Sequence, residues 1–579
     1  MTHLKWLWKH MGKKRPYLVA ALFLSVVTSA LLIVNPMLAQ QLIDRVVIPQ
    51  DTTLLLPLLG MMLVVQGVRL GLRYLMVMLL ETNSQECMEG MRARMYDIIQ
   101  NQSHRFLMKM RTGDLMTRMT SDLDLIRHSV AWTSYNVVDA LSTFIAAFSF
   151  LMTVNWRLTL CMVTVAPFIF FLSSRFIRRI RPMHAIVRQK LTELSTVVQE
   201  NIEGNRVVKA FARENFENDK FNAANRRFQK MNVDVAFTGA KFQPILDALG
   251  QMLWIITILV GGTFMIQGRM TSGAMIAFTS LVWAISNPLR NLGVLINDFQ
   301  RFVTCSDRII EVYDAPFEVE ERIGAVTVPC GDIRGDVSFR GVSLELDDRI
   351  ILDDVTFSIG AGKTVGILGS TGAGKTLLVS MLVRLIDPAS GNVMIDGRDV
   401  RDYTLSSLRR GIGYAMQDVF LFSDTVTRNI CYGSGNLDNE KVRSIAQAAD
   451  ANDFVCAMAD GYGTIIGERG MGLSGGQKQR ISLARALAKK PSILILDDIT
   501  SAVDLETESY IHRSLEGLDW TCTKIIVAQR VSFIEEADLI IVLDHGRIVE
   551  TGTHDSLLAC GGYYKKIRDL QLSQAVGEI

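Results

Sequence analysis

No two cysteines in this sequence stand at CxxC spacing. The eight present, Cys87, Cys161, Cys305, Cys330, Cys431, Cys456, Cys522 and Cys560, are scattered. No zinc site or disulfide framework can be read from them, and reduced cytosolic or membrane-buried thiols are expected. An excess of one charge is also missing: 61 basic and 59 acidic residues leave +2. That balance excludes a nucleic-acid binder driven by bulk charge and argues against disorder. Low-complexity tracts and soluble repeat arrays are absent. Charged residues are scarce, 21% against 49% apolar, and mean hydropathy is +0.23. A soluble chain of this size rarely averages positive, so membrane spans are expected. No cleavable signal is expected either. The basic stretch Lys9 to Arg15 leads into an apolar run too long for a signal-peptide core, without a small-residue cleavage pattern.

What is present divides the chain in two. Residues 1–300 hold the long apolar runs, and each crossing needs about 20 residues. Six read as spans: 17–38, 55–80, 134–154, 157–177, 245–267 and 273–295. Tight turns at Asn155-Trp156-Arg157 and Gln267-Gly268-Arg269 join the third to the fourth and the fifth to the sixth. Between spans two and three, and four and five, lie charged segments with helical periodicity, dense in Arg and Lys from Arg92 to Arg127 and from Arg175 to Arg213. The other side carries only Arg45, Arg157 and Arg269. Positive charge marks the cytoplasmic face, which implies a multi-pass protein of the cell (cytoplasmic or inner) membrane with both termini in the cytoplasm. Residues 301–330 read as a linker. Residues 331–579 alternate short β-branched runs with helices, the pattern of an α/β domain with a largely parallel sheet.

Gly369-Ser370-Thr371-Gly372-Ala373-Gly374-Lys375-Thr376 fits GxxxxGK[ST], between an expected strand Thr364–Leu368 and an expected helix from Lys375. Glycines let backbone N–H groups wrap a phosphate chain, and the helix N-terminus adds a favourable dipole. Lys375 would reach the β- and γ-phosphates of ATP, and the Thr376 hydroxyl would ligate Mg²⁺. "ILILDD" (493–498) reads as a buried strand whose terminal Asp497 would hold Mg²⁺. Ser474-Gly475-Gly476-Gln477, at the head of a helix, offers a second anion cradle.

Leu473 to Gln477, "LSGGQ", lies between a phosphate loop and "ILILDD". In this setting the chain resembles an ABC exporter half-transporter of the type IV, multidrug-exporter-like kind. Gln417 in "YAMQDVFLF", "GERG" at 467–470 and Ser501-Ala502-Val503-Asp504 support the resemblance, as do "TGDLMTRMTSD" (112–122) and "ENIEGNRVVKAFARE" (200–214). The resemblance implies a fold of six transmembrane helices fused to an α/β P-loop ABC nucleotide-binding domain. It implies paired cassettes, each ATP lying between one phosphate loop and the other chain's LSGGQ, so that Ser474 to Gln477 and the D-loop Asp504 serve the partner's nucleotide. It implies that Gln417 senses Mg²⁺ and the attacking water.

Three positions depart from the family pattern. Where the family has a catalytic Glu, this chain has Asp498, one methylene shorter. Where the family has a switch His, it has Gln529, which is not protonated near neutral pH. The adenine-stacking aromatic position holds Leu346. These departures imply the degenerate subunit of a heterodimer, able to bind ATP and poor at cutting it, with a second half-transporter chain as partner. Polar groups at apparent bilayer depth, Asp139 and Asp247 with Arg69, Arg73, Asn287 and Asn291, are costly there and often line an aqueous path. Asp139 and Asp247 could attract cationic amphiphiles, and small lipophilic substrates and membrane lipids are the expected partners of this half. A homodimeric lipid flippase of the lipid A type, a non-transporting nucleotide-sensing regulator and a soluble cassette ATPase are the alternatives. The six spans and the lack of a basic stripe, which also excludes nucleic acid, disfavour the last.

Overall fold

A computed structural model describes residues 2–329, 331–346, 349–500 and 503–577. Cys330, Ser501 and Ala502 lie outside the described residues. The chain forms two compact units, Met1–Gln100 with Arg111–Ala315, and Asn101–Met110 with Pro316–Ile579.

The first unit is helical. A short helix α1 (Thr2–His10) precedes α2 (Arg15–Leu42), α3 (Leu55–Asn101), α5 (Ser134–Val163), α6 (Ala166–Glu203), α7 (Glu214–Ile266) and α8 (Ser272–Tyr313). The short α4 (His104–Lys109) falls in the second unit. Pro16 opens α2, where a missing N–H removes no hydrogen bond. At 47 residues α3 is about 70 Å long. That is more than twice a hydrocarbon core of about 30 Å, so its charged half extends beyond a bilayer. Extended backbone at Asn155 (φ −159°, ψ 97°) breaks α5 at the expected turn, and the Asn155 side chain caps the next helical turn by accepting the Leu158 N–H at 3.2 Å. Gly268 (φ +68°) turns the chain before α8, whose Thr271 cap accepts the Ala274 N–H.

Four stretches among the described residues, Gly12–Val47, Thr52–Asn101, Thr112–Val163 and Glu214–Ile266, are long and apolar enough to cross a membrane. The expected spans at 157–177 and 273–295 fall in α5, α6 and α8 but do not reach that measure. The helix breaks at Thr164–Val165 inside the first of them, which leaves α6 crowded by the arginines from Arg175 onward; in α8, Ser286, Asn287 and Pro288 dilute the apolar run. None of the most apolar window of α3 is buried within the chain. Leu56, Leu63 and Leu70 face outward there, so hydrocarbon or a second chain must cover them.

The second unit holds two sheets. The smaller, ordered β2-β1-β4-β5, is antiparallel: β1 Val337–Leu346, β2 Arg349–Ile359, β4 Ser390–Ile395 and β5 Arg398–Asp399. This sheet is an addition to the single, largely parallel sheet that the sequence pattern predicts. The larger is ordered β10-β9-β3-β8-β7-β6: β3 Thr364–Gly369, β6 Ile412–Ala415, β7 Ile493–Asp497, β8 Thr523–Val527, β9 Leu539–Asp544 and β10 Arg547–Gly552. All its pairings are parallel except β9 with β10. Every residue of β7 is buried, as continuous apolar runs in parallel strands require. Helices α9 (Lys375–Ser380), α10 (Gly475–Leu487), α11 (Leu505–Glu516) and α12 (Tyr563–Gly577) complete the elements used below.

Candidate functional site

Strand order builds the site. Lys375 follows β3, Gln529 follows β8, Asp498 follows β7 and Gln417 follows β6, and these four strands are consecutive neighbours in one parallel sheet. Their carboxyl ends therefore open on a common crevice. A cavity of about 320 Å³ lies there, lined by Ile351, Thr371 to Leu377, Gln417, Asp497, Asp498, Val527 and Gln529.

The phosphate loop has the backbone that its glycines permit. Gly372 and Gly374 stand at φ +85° and +96°. A Cβ on Gly374 would also meet Leu352 Cδ2 at 2.7 Å, so only glycine fits. Lys375 Nζ donates to the loop carbonyls of Gly369 (2.7 Å) and Ser370 (3.0 Å). Burial pulls the Lys375 ammonium below the usual lysine range, against the attraction of Asp498 and Asp497.

Asp497 is almost wholly buried. Thr376 Oγ1 donates to its Oδ1 and the Tyr414 hydroxyl to its Oδ2, each at 3.2 Å. Burial holds the Asp497 carboxyl above the usual range despite these bonds. Tyr414 opens the motif "YAMQDVFLF" but was given no role there; β6 pairs it with Ile495 of β7, two residues before Asp497. Asp498, also buried, takes a left-handed backbone (φ +51°), a strained conformation for a non-glycine residue. Its Oδ2 accepts from Gln529 Nε2 at 2.8 Å and from Gln417 Nε2 at 3.2 Å. Burial raises its pKa as well. The oxygen donors of Thr376, Gln417 and Asp497 line one cavity, a set that suits a hard divalent cation.

Other expected residues lie elsewhere. Ser474 caps α10 in a reciprocal box: its hydroxyl accepts the Gln477 N–H, and the Gln477 side chain accepts the Ser474 N–H at 2.9 Å. Neither lines the cavity. Asp504 caps α11 by accepting the Thr507 N–H. Leu346 packs half-buried against the core of the domain, and the β2 residue Ile351 lines the cavity instead.

In the first unit, a cavity of about 330 Å³ brings Asp139, Asn287 and Asn291 together with Trp283 and Asp298, an acid that no sequence pattern had singled out. Asp139 accepts the Ser29 hydroxyl at 3.0 Å. Asp247 is not among the lining residues.

Comparison with known proteins accords with both halves. A family model described as the ABC transporter transmembrane region matches residues 18–289, and one described as ABC transporter matches 352–501. An ATP-dependent lipid A-core flippase of Syntrophus aciditrophicus (strain SB) is 33% identical over 564 residues, 97% of this chain and 94% of the relative. YgaD of Bacillus subtilis (strain 168), an ATP-binding/permease protein provisionally assigned to multidrug export, is 35% identical over 482 residues, 83% of each chain. A bacterial Atm1-family ABC exporter, solved with ATP bound, shares the fold at a TM-score of 0.78 and 24% identity, over 96% of this chain and 99% of that one. With the phosphate loop, the strand-end carboxylates and the signature helix in place, the chain belongs to the ABC transporters, as an exporter-type half-transporter with the transmembrane region and the ATPase domain on one polypeptide.

Proposed function

We propose that this chain drives export of lipophilic or amphipathic compounds across the cytoplasmic membrane as the degenerate-site subunit of a heterodimer. The observation that carries the reading is Asp498. It is shorter than the family's Glu, and both Gln417 and Gln529 donate to one of its oxygens. A carboxylate oxygen holding two amide donors is a poor acceptor for a water proton. Lys375 and the loop N–H groups would hold the phosphates of ATP, and Thr376, Gln417 and Asp497 would hold Mg²⁺, which neutralises charge on the phosphates. The partner's phosphate loop would meet Ser474 to Gln477, and the competent site would form there. Six crossings, with both termini cytoplasmic, would switch from inward- to outward-facing as the cassettes close. Phosphate release by this chain alone, by its partner alone and by both together tests the reading. Vigorous turnover by this chain alone would remove it. The second reading, a homodimeric lipid flippase, draws on the lipid A-core flippase relative, and isolation of a fully active single-chain dimer would favour it.

Two further outcomes are expected. Asp497→Asn removes a carboxylate whose charged form burial disfavours. A buried acid with a raised pKa penalises the fold increasingly as pH rises from the ordinary carboxylate value through that raised pKa. The variant is expected to gain about 1 kcal/mol of stability without nucleotide. It should lose the extra stabilisation given by Mg-ATP, and melting curves with and without Mg-ATP read both changes. Asp139→Asn is expected to lower efflux of a cationic dye by about 10-fold, with Asp247→Asn much milder. Unchanged dye efflux in Asp139→Asn would discard a substrate role for that cavity.

A further inference from the structure

The loop carrying Gln529 leaves β8 and has no regular structure until the single turn Val531–Phe533. Side chains from three places hold it. Asp498 accepts from the Gln529 side chain at 2.8 Å. Glu508, buried on α11, accepts from Arg530 at 3.0 Å and from the Ser532 hydroxyl at 2.7 Å. The third is Gln571 on the C-terminal helix α12. Its Nε2 donates to the Gln529 carbonyl at 2.7 Å, and its Oε1 accepts the Val531 N–H at 3.0 Å. One side-chain amide thus satisfies two main-chain groups on either side of Arg530, which fixes the path of the loop as well as its position.

The helix that presents Gln571 is itself anchored. The Glu550 carboxylate accepts the N–H groups of Tyr563 and Tyr564 at the head of α12. Tyr564 is wholly buried, and its hydroxyl meets His554 Nδ1 at 2.7 Å. Gln571 stands two turns further along. It lies outside the cavity lining, while Gln529 lies in it.

We propose that Gln571 is a positioning residue for the nucleotide site: it holds the loop so that Gln529 stays directed at Asp498. This rests on reading the cavity as the ATP site. The test uses the full-length complex in lipid nanodiscs, with Gln571→Met, which keeps the bulk and loses both hydrogen bonds, and Gln571→Glu, which keeps only the acceptor for Val531. A non-hydrolysable azido analogue of ATP is bound and chased with ATP, and photo-crosslinked label on this chain is followed with time. Hydrogen exchange at the Val531 amide is followed in parallel. Gln571→Met is expected to speed both label release and exchange by about 5-fold. Gln571→Glu should retain the Val531 protection while still releasing label faster. Faster exchange with unchanged release would reduce Gln571 to a structural role and overturn the proposal, as would no change in exchange. Failure of the unmodified chain to take label would count against ATP binding itself, and the exchange arm would still judge the clamp.

Discussion

Replacing Asp498 by Glu together with Gln529 by His is expected to raise ATP turnover at this chain's own site by about 10²-fold. The geometry gives two reasons. Glu extends the carboxylate by a methylene toward the cavity, from a backbone whose N–H donates to the Val527 carbonyl at 2.9 Å. Removing Gln529 withdraws the shorter of the two amide bonds to Asp498 Oδ2, 2.8 Å against 3.2 Å. Histidine there also brings a ring that titrates near neutral pH. Asp498→Glu alone should gain much less, because the Gln529 amide would still engage the new carboxylate. Phosphate release by the purified chain, alone and with its partner, measures the gain. An unchanged rate in the double variant would mean that neither residue limits hydrolysis, and the degenerate-site reading would fall.

Gly476→Glu is expected to cut turnover of the two-chain complex by about 10²- to 10³-fold, while Asp498→Asn leaves it nearly unchanged. Gly476 sits in the first turn of α10, behind the Ser474–Gln477 box. A carboxylate at that position agrees with the helix dipole, so the helix should still fold. On the proposed reading it would nevertheless place negative charge where the partner's triphosphate approaches. On the proposed reading Asp498 serves only this chain's own nucleotide, so neutralising it would leave the competent site intact. Steady-state phosphate release by the complex separates the two variants. Equal, severe loss from both would point to two equivalent sites and so to a homodimer.

The halves of the chain and the phosphate loop were legible because their signals are local. Apolar runs of membrane length, a glycine-rich loop between a β-branched run and a helix, and four apolar residues ending in Asp497 are each specified within a few residues by backbone chemistry. The break at Asn155 was legible for the same reason, since its side chain caps the very next turn. Spans four and six were less so: the helix breaks at Thr164–Val165 within the fourth, and the Ser, Asn and Pro of α8 mix polar character into the sixth.

Tertiary structure alone decided the rest, because it turns on which strands and helix faces become neighbours. Tyr414 reaches Asp497, and Gln417 and Gln529 converge on Asp498, since β6, β7 and β8 lie side by side although 81 residues part Gln417 from Asp498. Ile351 replaced Leu346 at the cavity wall because β1 turns Leu346 toward the core. Asp139 shares a cavity with Asp298 and not with Asp247, since helix rotation, which periodicity leaves undetermined, decides which side chains line it. Gln571 lies 42 residues beyond the carbonyl it holds and belongs to no motif, so only the docking of the last helix could reveal it.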